Sequence, residues 1–372
     1  MNAPPPLINA LGVSWELGVP VVAAAWDVDG TSVGFALGDG HLAVADTQWP
    51  GGPRVEPKSG GGVSLVAAEA PAPRPLRAAC HPGSCLCIAA DARGGFLTGG
   101  DDGRVVLVPK VGDPAVLAHE PGVWIDSVAV SRDGVRAYGF GRRVQRWQGD
   151  RSESIELPAP ATSLGFSPDG RCLAIAHSGG VTLWSAAGEL RRLAWNGYHR
   201  ALAWSPDGRY LVTGMQENGL HGWRVADGGD IEMGGYPGQP LSLSFAHDGR
   251  YLATSGGTRP VCWRIDTPGT TEQPIECAMA SKTPVTCVCC HPRQSLIAAG
   301  YQNGAVVLCQ PGNDEALFIK GSGGGAVNAL VWSGDGSRLA FGTQGGVLGW
   351  LGMPAALFRS RASDRPIKET IQ

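Results

Sequence analysis

The pentapeptide Phe166-Ser167-Pro168-Asp169-Gly170 recurs almost unchanged as Trp204-Ser205-Pro206-Asp207-Gly208 later in the chain. An apolar segment precedes each copy and another follows it, which is the pattern of two strands joined by a corner. Proline sets a negative φ, aspartate supplies a side-chain-to-backbone hydrogen bond and glycine allows a positive φ, and this succession reverses the chain. The sequence therefore predicts a hairpin corner at each copy.

Corners of this type occur eight times. From the second onward they are about 36 to 45 residues apart, the length expected of one four-stranded propeller blade. The first interval is longer, and its excess lies in the Gly/Pro-rich stretch 48–62, which predicts a long loop or a hairpin extension. The other six corners are Trp26-Asp27-Val28-Asp29-Gly30, Ala90-Asp91-Ala92-Arg93-Gly94, Val130-Ser131-Arg132-Asp133-Gly134, Phe245-Ala246-His247-Asp248-Gly249, Cys290-His291-Pro292-Arg293-Gln294 and Trp332-Ser333-Gly334-Asp335-Gly336.

Each unit carries a second turn, which contains glycine and follows the corner at a fixed offset, as in Glu217-Asn218-Gly219. Asn-Gly and Asp-Gly suit two-residue hairpins because the central positions need a positive φ. A third strand follows each of these turns. In five units that strand ends in tryptophan, namely Trp147, Trp184, Trp223, Trp263 and Trp350.

This tryptophan resembles the site of the WD dipeptide in WD-repeat propellers, and the resemblance covers about residues 11–352. The family's Gly-His element is reduced to His81 and His119, and the aspartate of the dipeptide is replaced by Gln148, Ser185, Arg224, Arg264 and Leu351. We therefore expect little of the family's buried Asp-His-Ser-Trp network and more apolar packing between sheets. Candidates for that packing are Trp26, Trp204 and Trp332.

The resemblance implies an all-β fold, a single closed β-propeller of four-stranded antiparallel blades. Eight copies predict eight blades, with seven as the alternative if the first unit or the weakest, around Arg293-Gln294, is irregular. In the family an N-terminal strand completes the final blade and removes its open edge, and segment 11–19 has strand character. We expect residues 1–10 to be a disordered N-terminus, 11–352 to form the propeller and 353–372 to be a flexible tail.

The formal net charge is -3 and the charges are evenly scattered, so no polybasic block is available to neutralise a phosphate backbone. The chain start has neither the basic stretch nor the apolar run of a secretory signal, and no apolar run approaches the roughly 20 residues that a spanning helix needs. Ten irregularly spaced cysteines, several inside apolar strand patterns, favour a reducing cytoplasm. We expect a cytoplasmic protein, monomeric by itself, with no nucleic-acid or membrane partner.

Two Cys/His groups deserve comparison with metal sites. Neither has the paired C-x2-C spacing of a zinc knuckle, and cysteines in strands are more often buried thiols. No serine lies in a Gly-x-Ser-x-Gly elbow and no Gly-rich phosphate loop precedes a helix. We predict no catalytic residues, no metal and no cofactor, with a zinc-handling or enzymatic propeller as the alternative. The two groups are Cys80, His81, Cys85 and Cys87, and Cys287, Cys289, Cys290 and His291.

In the family, the loops between the fourth and first strands and those between the second and third strands form one rim around the channel, where peptides and domains dock. Trp, Tyr and Arg most often anchor interfaces. The run 195–200 is the most suggestive, because a loop flexed at Gly197 carries two aromatic residues, although Trp195 packed between blades is equally compatible. The resemblance implies a non-catalytic protein-interaction scaffold. Its candidate contacts are Trp124, Arg142, Arg143, Trp195, Tyr198, His199, Arg200, Gln216, Tyr236 and Tyr301.

Overall fold

The computed structural model of the chain describes residues 6–58, 63–265 and 274–353. Within these ranges the regular structure is β, apart from one helical turn, α1 (Ile8–Leu11). No helix in the described ranges is long and apolar enough to cross a membrane. The prediction of an all-β fold is confirmed.

The strands follow the repeat units in chain order. The first half contains β1 (Gly12–Glu16), β2 (Val21–Trp26), β3 (Ser32–Leu37), β4 (His41–Asp46), β5 (Arg54–Pro57), β6 (Val63–Val66), β7 (Leu76–Ala79), β8 (Cys85–Ala90), β9 (Phe96–Gly100), β10 (Arg104–Val108), β11 (Ala115–His119), β12 (Ser127–Val130), β13 (Arg136–Phe140), β14 (Arg143–Gln148), β15 (Arg151–Glu156) and β16 (Ala161–Phe166). The second half contains β17 (Cys172–Ser185), β18 (Leu190–Trp204), β19 (Tyr210–Met215), β20 (Leu220–Arg224), β21 (Gly229–Met233), β22 (Leu243–Phe245), β23 (Tyr251–Thr254), β24 (Val261–Arg264), β25 (Ile275–Glu276), β26 (Val285–Cys290), β27 (Ile297–Tyr301), β28 (Val306–Cys309), β29 (Ala316–Lys320), β30 (Val327–Trp332), β31 (Arg338–Thr343) and β32 (Val347–Gly352).

In the described part of the chain these strands form seven large antiparallel sheets and a separate two-stranded ribbon, β5–β6. Six sheets have four strands, and the seventh has six, β16 to β21, because β18 pairs with β17 in its first half and with β19 in its second. The fourth and fifth repeat units share this sheet. Eight repeat units therefore lie in seven sheets, which is the alternative count that the sequence allowed. The sequence placed the possible irregular unit at the first unit or around Arg293-Gln294, and the latter prediction is wrong because that unit forms the regular four-stranded sheet β26–β29.

The sheets lie in a ring, because the innermost strands contact one another in chain order and the last contacts the first. The order is β2, β8, β12, β16, β18, β22, β26, β30 and again β2. Strand β1 pairs antiparallel with β32 and forms the outer edge of the last sheet. The architecture is that of a β-propeller.

Order begins before the predicted boundary at residue 11. Residues Ile8–Leu11 form a helical turn, and Ile8 is buried in the core of the last two sheets. Part of the 48–62 insertion forms the β5–β6 ribbon, one of the two predicted forms. Residues 1–5 and 354–372, which carry the rest of the predicted N-terminus and tail, lie outside the described residues.

The corners have the predicted chemistry. At the fifth corner Ser205 Oγ donates to Asp207 and accepts from Tyr210 N, while Asp207 also accepts from Arg209 N. Gly208 follows with φ +71°. The corner is therefore a local, self-contained hydrogen-bonded unit, which explains why it could be recognised from sequence.

Three tryptophans at the ends of innermost strands join neighbouring units, as expected. Trp26 Nε1 donates to Val331 O at 3.0 Å, which links the first unit to the last. The equivalent bonds are Trp204 Nε1 to Gly165 O and Trp332 Nε1 to Cys289 O. Each indole thus combines apolar packing with one hydrogen bond across the gap between units.

The expectation that the family's buried polar network is largely absent is only partly correct. His81 is buried, with Nδ1 2.9 Å from Asp102 Oδ1 and Nε2 3.0 Å from Thr98 Oγ1, so the second unit retains a His-Asp-Thr network. His119 is exposed and takes no part in such a network. In the sixth unit a tyrosine takes the histidine's place, because Tyr236 OH contacts Thr254 Oγ1 at 2.6 Å and accepts from Trp263 Nε1.

Candidate functional site

The predicted rim residues lie on adjoining units of one side of the ring. Arg142, in the turn between β13 and β14, donates from Nε to Leu157 O, which belongs to the connection that leads into the fourth unit. Thr162 in that unit donates to His199 O in the fifth. In the ladder between β17 and β18, Ser178 is paired with Tyr198. These contacts bring the third, fourth and fifth units into one continuous surface.

The ten candidates divide by exposure. The side chains of His199, Tyr236 and Tyr301 are 0%, 9% and 4% exposed, so they are not available to a partner. Naming them as contacts overlooked their buried hydrogen bonds and packing. Trp195 is half-buried. The exposed members are Trp124, Arg142, Arg143, Tyr198, Arg200 and Gln216.

Trp195 packs on a buried histidine that sequence reasoning missed. Its ring stacks on His221 with centroids 3.7 Å apart and an angle of 14° between the planes. His221 lies edge-on to Trp223, and its Nε2 is 3.1 Å from Asp230 Oδ1. Burial lowers the pKa of His221 to about 4, so the ring is neutral near pH 7. Its position two residues before the repeat tryptophan was the available signal.

His199 supports the same platform from the other side. Its Nδ1 is 2.7 Å from Thr213 Oγ1 and its Nε2 is 3.2 Å from Trp195 O. Burial lowers the pKa of His199 as well. The two histidines and Trp195 therefore form one contiguous cluster, and of the two interpretations weighed for Trp195 its stacking on His221 supports packing within the fold.

The backbone of Tyr198 is fixed although its side chain is 38% exposed. Its N–H donates to the Glu217 carboxylate at 3.0 Å, and its carbonyl accepts from Gln216 N at 3.0 Å. Gly197 has φ +136°, and a Cβ there would lie 2.2 Å from Met215 Cε. Gly197 is thus a tightly packed bend inside β18 and not the flexible hinge that the sequence suggested.

Arg200 occupies a repeated irregularity of the innermost strands. Six of these strands carry a register shift at the same place, where one residue bulges from the ladder. In three units the bulged side chain donates to a carbonyl of the next unit, as Asn328 Nδ2 does to Val21 O at 2.9 Å. The other two donors are Thr162 and Thr286.

Arg200 differs from these donors. Its side chain is exposed, and it makes no hydrogen bond or ion pair with any residue in the described ranges. The guanidinium therefore stands free on the innermost strand, at a position where other units use the side chain to join neighbouring sheets. Arg200 is available to a bound partner without any rearrangement of the fold.

The two Cys/His groups do not form ligand sets in the structure. Among residues 6–58, 63–265 and 274–353, no three His, Cys, Asp or Glu side chains are grouped as metal ligands would be. His81 is occupied by Asp102 and Thr98. Burial raises the pKa of Cys289 to about 11 and that of Cys290 to about 12, so these thiols stay protonated and are poor metal ligands.

Comparison with known proteins agrees with the fold. The family profile WD40, described as WD domain, G-beta repeat, matches residues 196–223, which contain Tyr198, Arg200 and Trp223. WD repeat-containing protein 1 of Bos taurus is 30% identical over 120 residues, which cover 31% of this chain and 19% of that protein. WD repeat-containing protein 55 of Homo sapiens is 32% identical over 122 residues, which cover 30% of this chain and 32% of that protein. The matched segment thus spans less than a third of either relative.

The crystal structure of the computationally designed Ika8 protein superposes with a TM-score of 0.68 at 14% sequence identity, covering 91% of this chain and 98% of that one. At this identity the likeness concerns the fold alone. The ring of antiparallel sheets shows that the chain is a β-propeller, and the match over residues 196–223 identifies a WD repeat within it.

Proposed function

We propose that this chain is a non-catalytic scaffold that binds other proteins or peptides on the rim of its channel. The relatives are WD-repeat proteins, and proteins of that class typically serve as interaction platforms. The observation that carries the rim assignment is the exposure of aromatic and basic side chains on the third and fifth units, with the Tyr198 backbone held by hydrogen bonds. We define this rim surface as Trp124, Arg143, Tyr198, Arg200 and Gln216.

Rigid aromatic anchors favour binding because few rotatable bonds are immobilised on association. Trp124 is 65% exposed, the largest aromatic side chain on this surface. Tyr198 is held at its backbone by the Glu217 carboxylate. A partner that covers these two rings removes apolar area from water at little conformational cost to the scaffold.

Arginine adds directional hydrogen bonding. The free guanidinium of Arg200 offers five donors in a planar arrangement that suits carbonyl and carboxylate groups of a peptide. Arg143 is likewise exposed at the turn between β13 and β14. Aromatic faces beside free guanidinium groups are a composition that occurs at the centres of protein interfaces.

The test is selection of binding peptides from a displayed random library on the purified full chain, followed by affinity measurements with single selected peptides. The rim variant is Trp124→Ala, Tyr198→Ala and Arg200→Ala together. The matched control is Leu76→Ala with Val111→Ala, because these side chains are 77% and 91% exposed, in β7 and in the connection between β10 and β11. We expect at least a tenfold loss of affinity in the rim variant, equivalent to about 1.4 kcal/mol, and no change in the control. Peptides that bind both variants equally would refute the rim assignment.

The proposal includes a monomeric protein in the cytoplasm. All ten cysteines are free, which is compatible with a reducing compartment. Light scattering on a size-exclusion column measures the oligomeric state directly. A stable dimer at micromolar concentration would overturn the monomer part of this proposal.

A further inference from the structure

Two buried thiols of the sixth unit lie next to each other. Cys262 is in β24 and Cys277 directly follows β25, and their Sγ atoms are 3.4 Å apart. Both side chains are 0% exposed and both cysteines are free. They belong to the core between the sixth and seventh units. Neither of the Cys/His groups considered as metal sites contains them.

The ladder explains why these thiols meet. Cys262 is paired with Ile275, and Cys277 N donates to Pro260 O, so regular pairing continues past the end of β25. Side chains two residues apart in a strand lie on the same face of the sheet, so residues 275 and 277 share a face, and Cys262, which is paired with Ile275, lies on that face too. The thiols are therefore diagonal neighbours across two strands, and their sulfur atoms point toward each other.

The same core contains two further cysteines that are engaged elsewhere. Cys290 Sγ donates to Ser244 O at 3.2 Å, and Cys309 Sγ donates to Ile297 O at 3.7 Å. The Cys262–Cys277 pair is thus the one thiol–thiol contact among the sulfur hydrogen bonds of the described residues. Cys277 Sγ also donates to Ile275 O at 3.7 Å, so the feature that distinguishes the pair from Cys290 and Cys309 is the contact between the two sulfur atoms.

We infer that Cys262 and Cys277 form a reversible disulfide site that a hydroperoxide oxidises. The Cys277 thiolate attacks one peroxide oxygen, breaks the O–O bond and becomes a sulfenic acid, with hydroxide as the leaving group. The Cys262 sulfur then attacks the sulfenic sulfur, forms the S–S bond and releases the sulfenic oxygen, which leaves as water with the Cys262 proton. A dithiol returns the pair to its reduced form by exchange.

The roles follow from the contact between the sulfurs. The hydrogen bond between the two sulfur atoms lowers the pKa of Cys277 and raises the pKa of Cys262. The thiolate is the nucleophile in thiol chemistry, so Cys277 is the attacking group and Cys262 the resolving one.

Oxidation must also bring the two sulfur atoms closer together. A disulfide needs sulfur atoms about 2.0 Å apart, so the present separation has to shrink. Strand β25 has only two residues, and Ala278 beyond it has φ +60°, an unfavourable conformation for a residue with a Cβ. The short outer strand is the part that yields, and it carries with it the following connection, where Met279 is 75% exposed.

The test treats the purified full chain with hydrogen peroxide, alkylates the remaining thiols after denaturation and maps the peptides without reduction. Trypsin places Cys262 in residues 251–264 and Cys277 in residues 265–282, so a disulfide joins two separate peptides. We expect this joined pair, the loss of two free thiols per chain and full reversal by dithiothreitol.

Cys262→Ser should abolish the joined peptides and leave Cys277 as a sulfenic acid that dimedone labels. Cys290→Ser is the matched control from the same core and should still give the pair; if it does not fold, Cys309→Ser replaces it, with thermal melting as the check. The inference would be overturned if Cys262 and Cys277 both remained free thiols after peroxide treatment, or if the disulfide joined two other cysteines. This outcome is independent of whether the rim surface binds peptides.

Discussion

Replacing Tyr236 by phenylalanine tests whether this residue is part of the framework or of the binding surface. The hydroxyl lies in a relay in which Trp263 Nε1 donates to Tyr236 OH, Tyr236 OH contacts Thr254 Oγ1 at 2.6 Å, and Thr254 Oγ1 donates to Val261 O at 3.3 Å. Phenylalanine keeps the ring and its packing but removes the acceptor of the Trp263 indole. A buried donor left without a partner costs about 1–3 kcal/mol.

The matched control is Tyr198→Phe. The Tyr198 ring is 38% exposed and its hydroxyl makes no hydrogen bond with the described residues, so the same deletion should change stability by less than about 0.5 kcal/mol. Urea unfolding followed by far-ultraviolet circular dichroism measures both variants, with the shift in midpoint converted through the slope. Equal effects of the two substitutions, or a neutral Tyr236→Phe, would refute the assignment of Tyr236 to the framework.

Three further predictions follow from the same framework. Burial lowers the pKa of His221 to about 4 from its ordinary value of 6.5, so the folded chain binds fewer protons than the unfolded chain between these pH values. The free energy of unfolding should therefore fall by up to about 3 kcal/mol as the pH drops from 6.5 to 4. His221→Asn should flatten this pH dependence, measured by urea unfolding at a series of pH values. Trp204→Phe removes the bond to Gly165 O and should cost about 1–3 kcal/mol, measured as a lower urea midpoint, whereas a neutral result would mean that the indole N–H contributes nothing. Gly197→Ala should lower the melting temperature more than Gly188→Ala, since both glycines have positive φ but only at Gly197 would a Cβ meet Met215 Cε, which then has to shift; equal melting temperatures would contradict the packing at Gly197.

The corner at Ser205-Pro206-Asp207-Gly208 could be predicted because its hydrogen bonds are made within six residues. The sharing of one sheet by the fourth and fifth units could not. It depends on β18 continuing through Gly197, and nothing in the local sequence distinguishes a flexible glycine from one that is packed against Met215. Sheet count is thus decided by contacts between residues distant in sequence.

The candidate site, like the sheet count, could be predicted only in part from the local sequence. Gly197-Tyr198 and Gly235-Tyr236 are identical dipeptides in equivalent connections, and sequence reasoning treated both tyrosines as rim contacts. Tyr236 turns inward because Thr254 and Trp263 provide polar partners, whereas Tyr198 stays outside because His199 already bonds Thr213. The choice between inside and outside is set by residues 14 or more positions away along the chain.

The central claim is that the chain forms a ring in which the first strand belongs to the last sheet. Hydrogen–deuterium exchange on the full chain tests it directly, because β1 pairs with β32 across almost the whole sequence. We predict that peptides covering residues 12–16 are strongly protected relative to an unstructured chain, and less protected than peptides covering residues 347–352, because β1 is an edge strand whereas β32 is paired on both sides. Exchange of residues 12–16 at the rate of an unstructured chain, with residues 347–352 exposed along one edge, would contradict the ring.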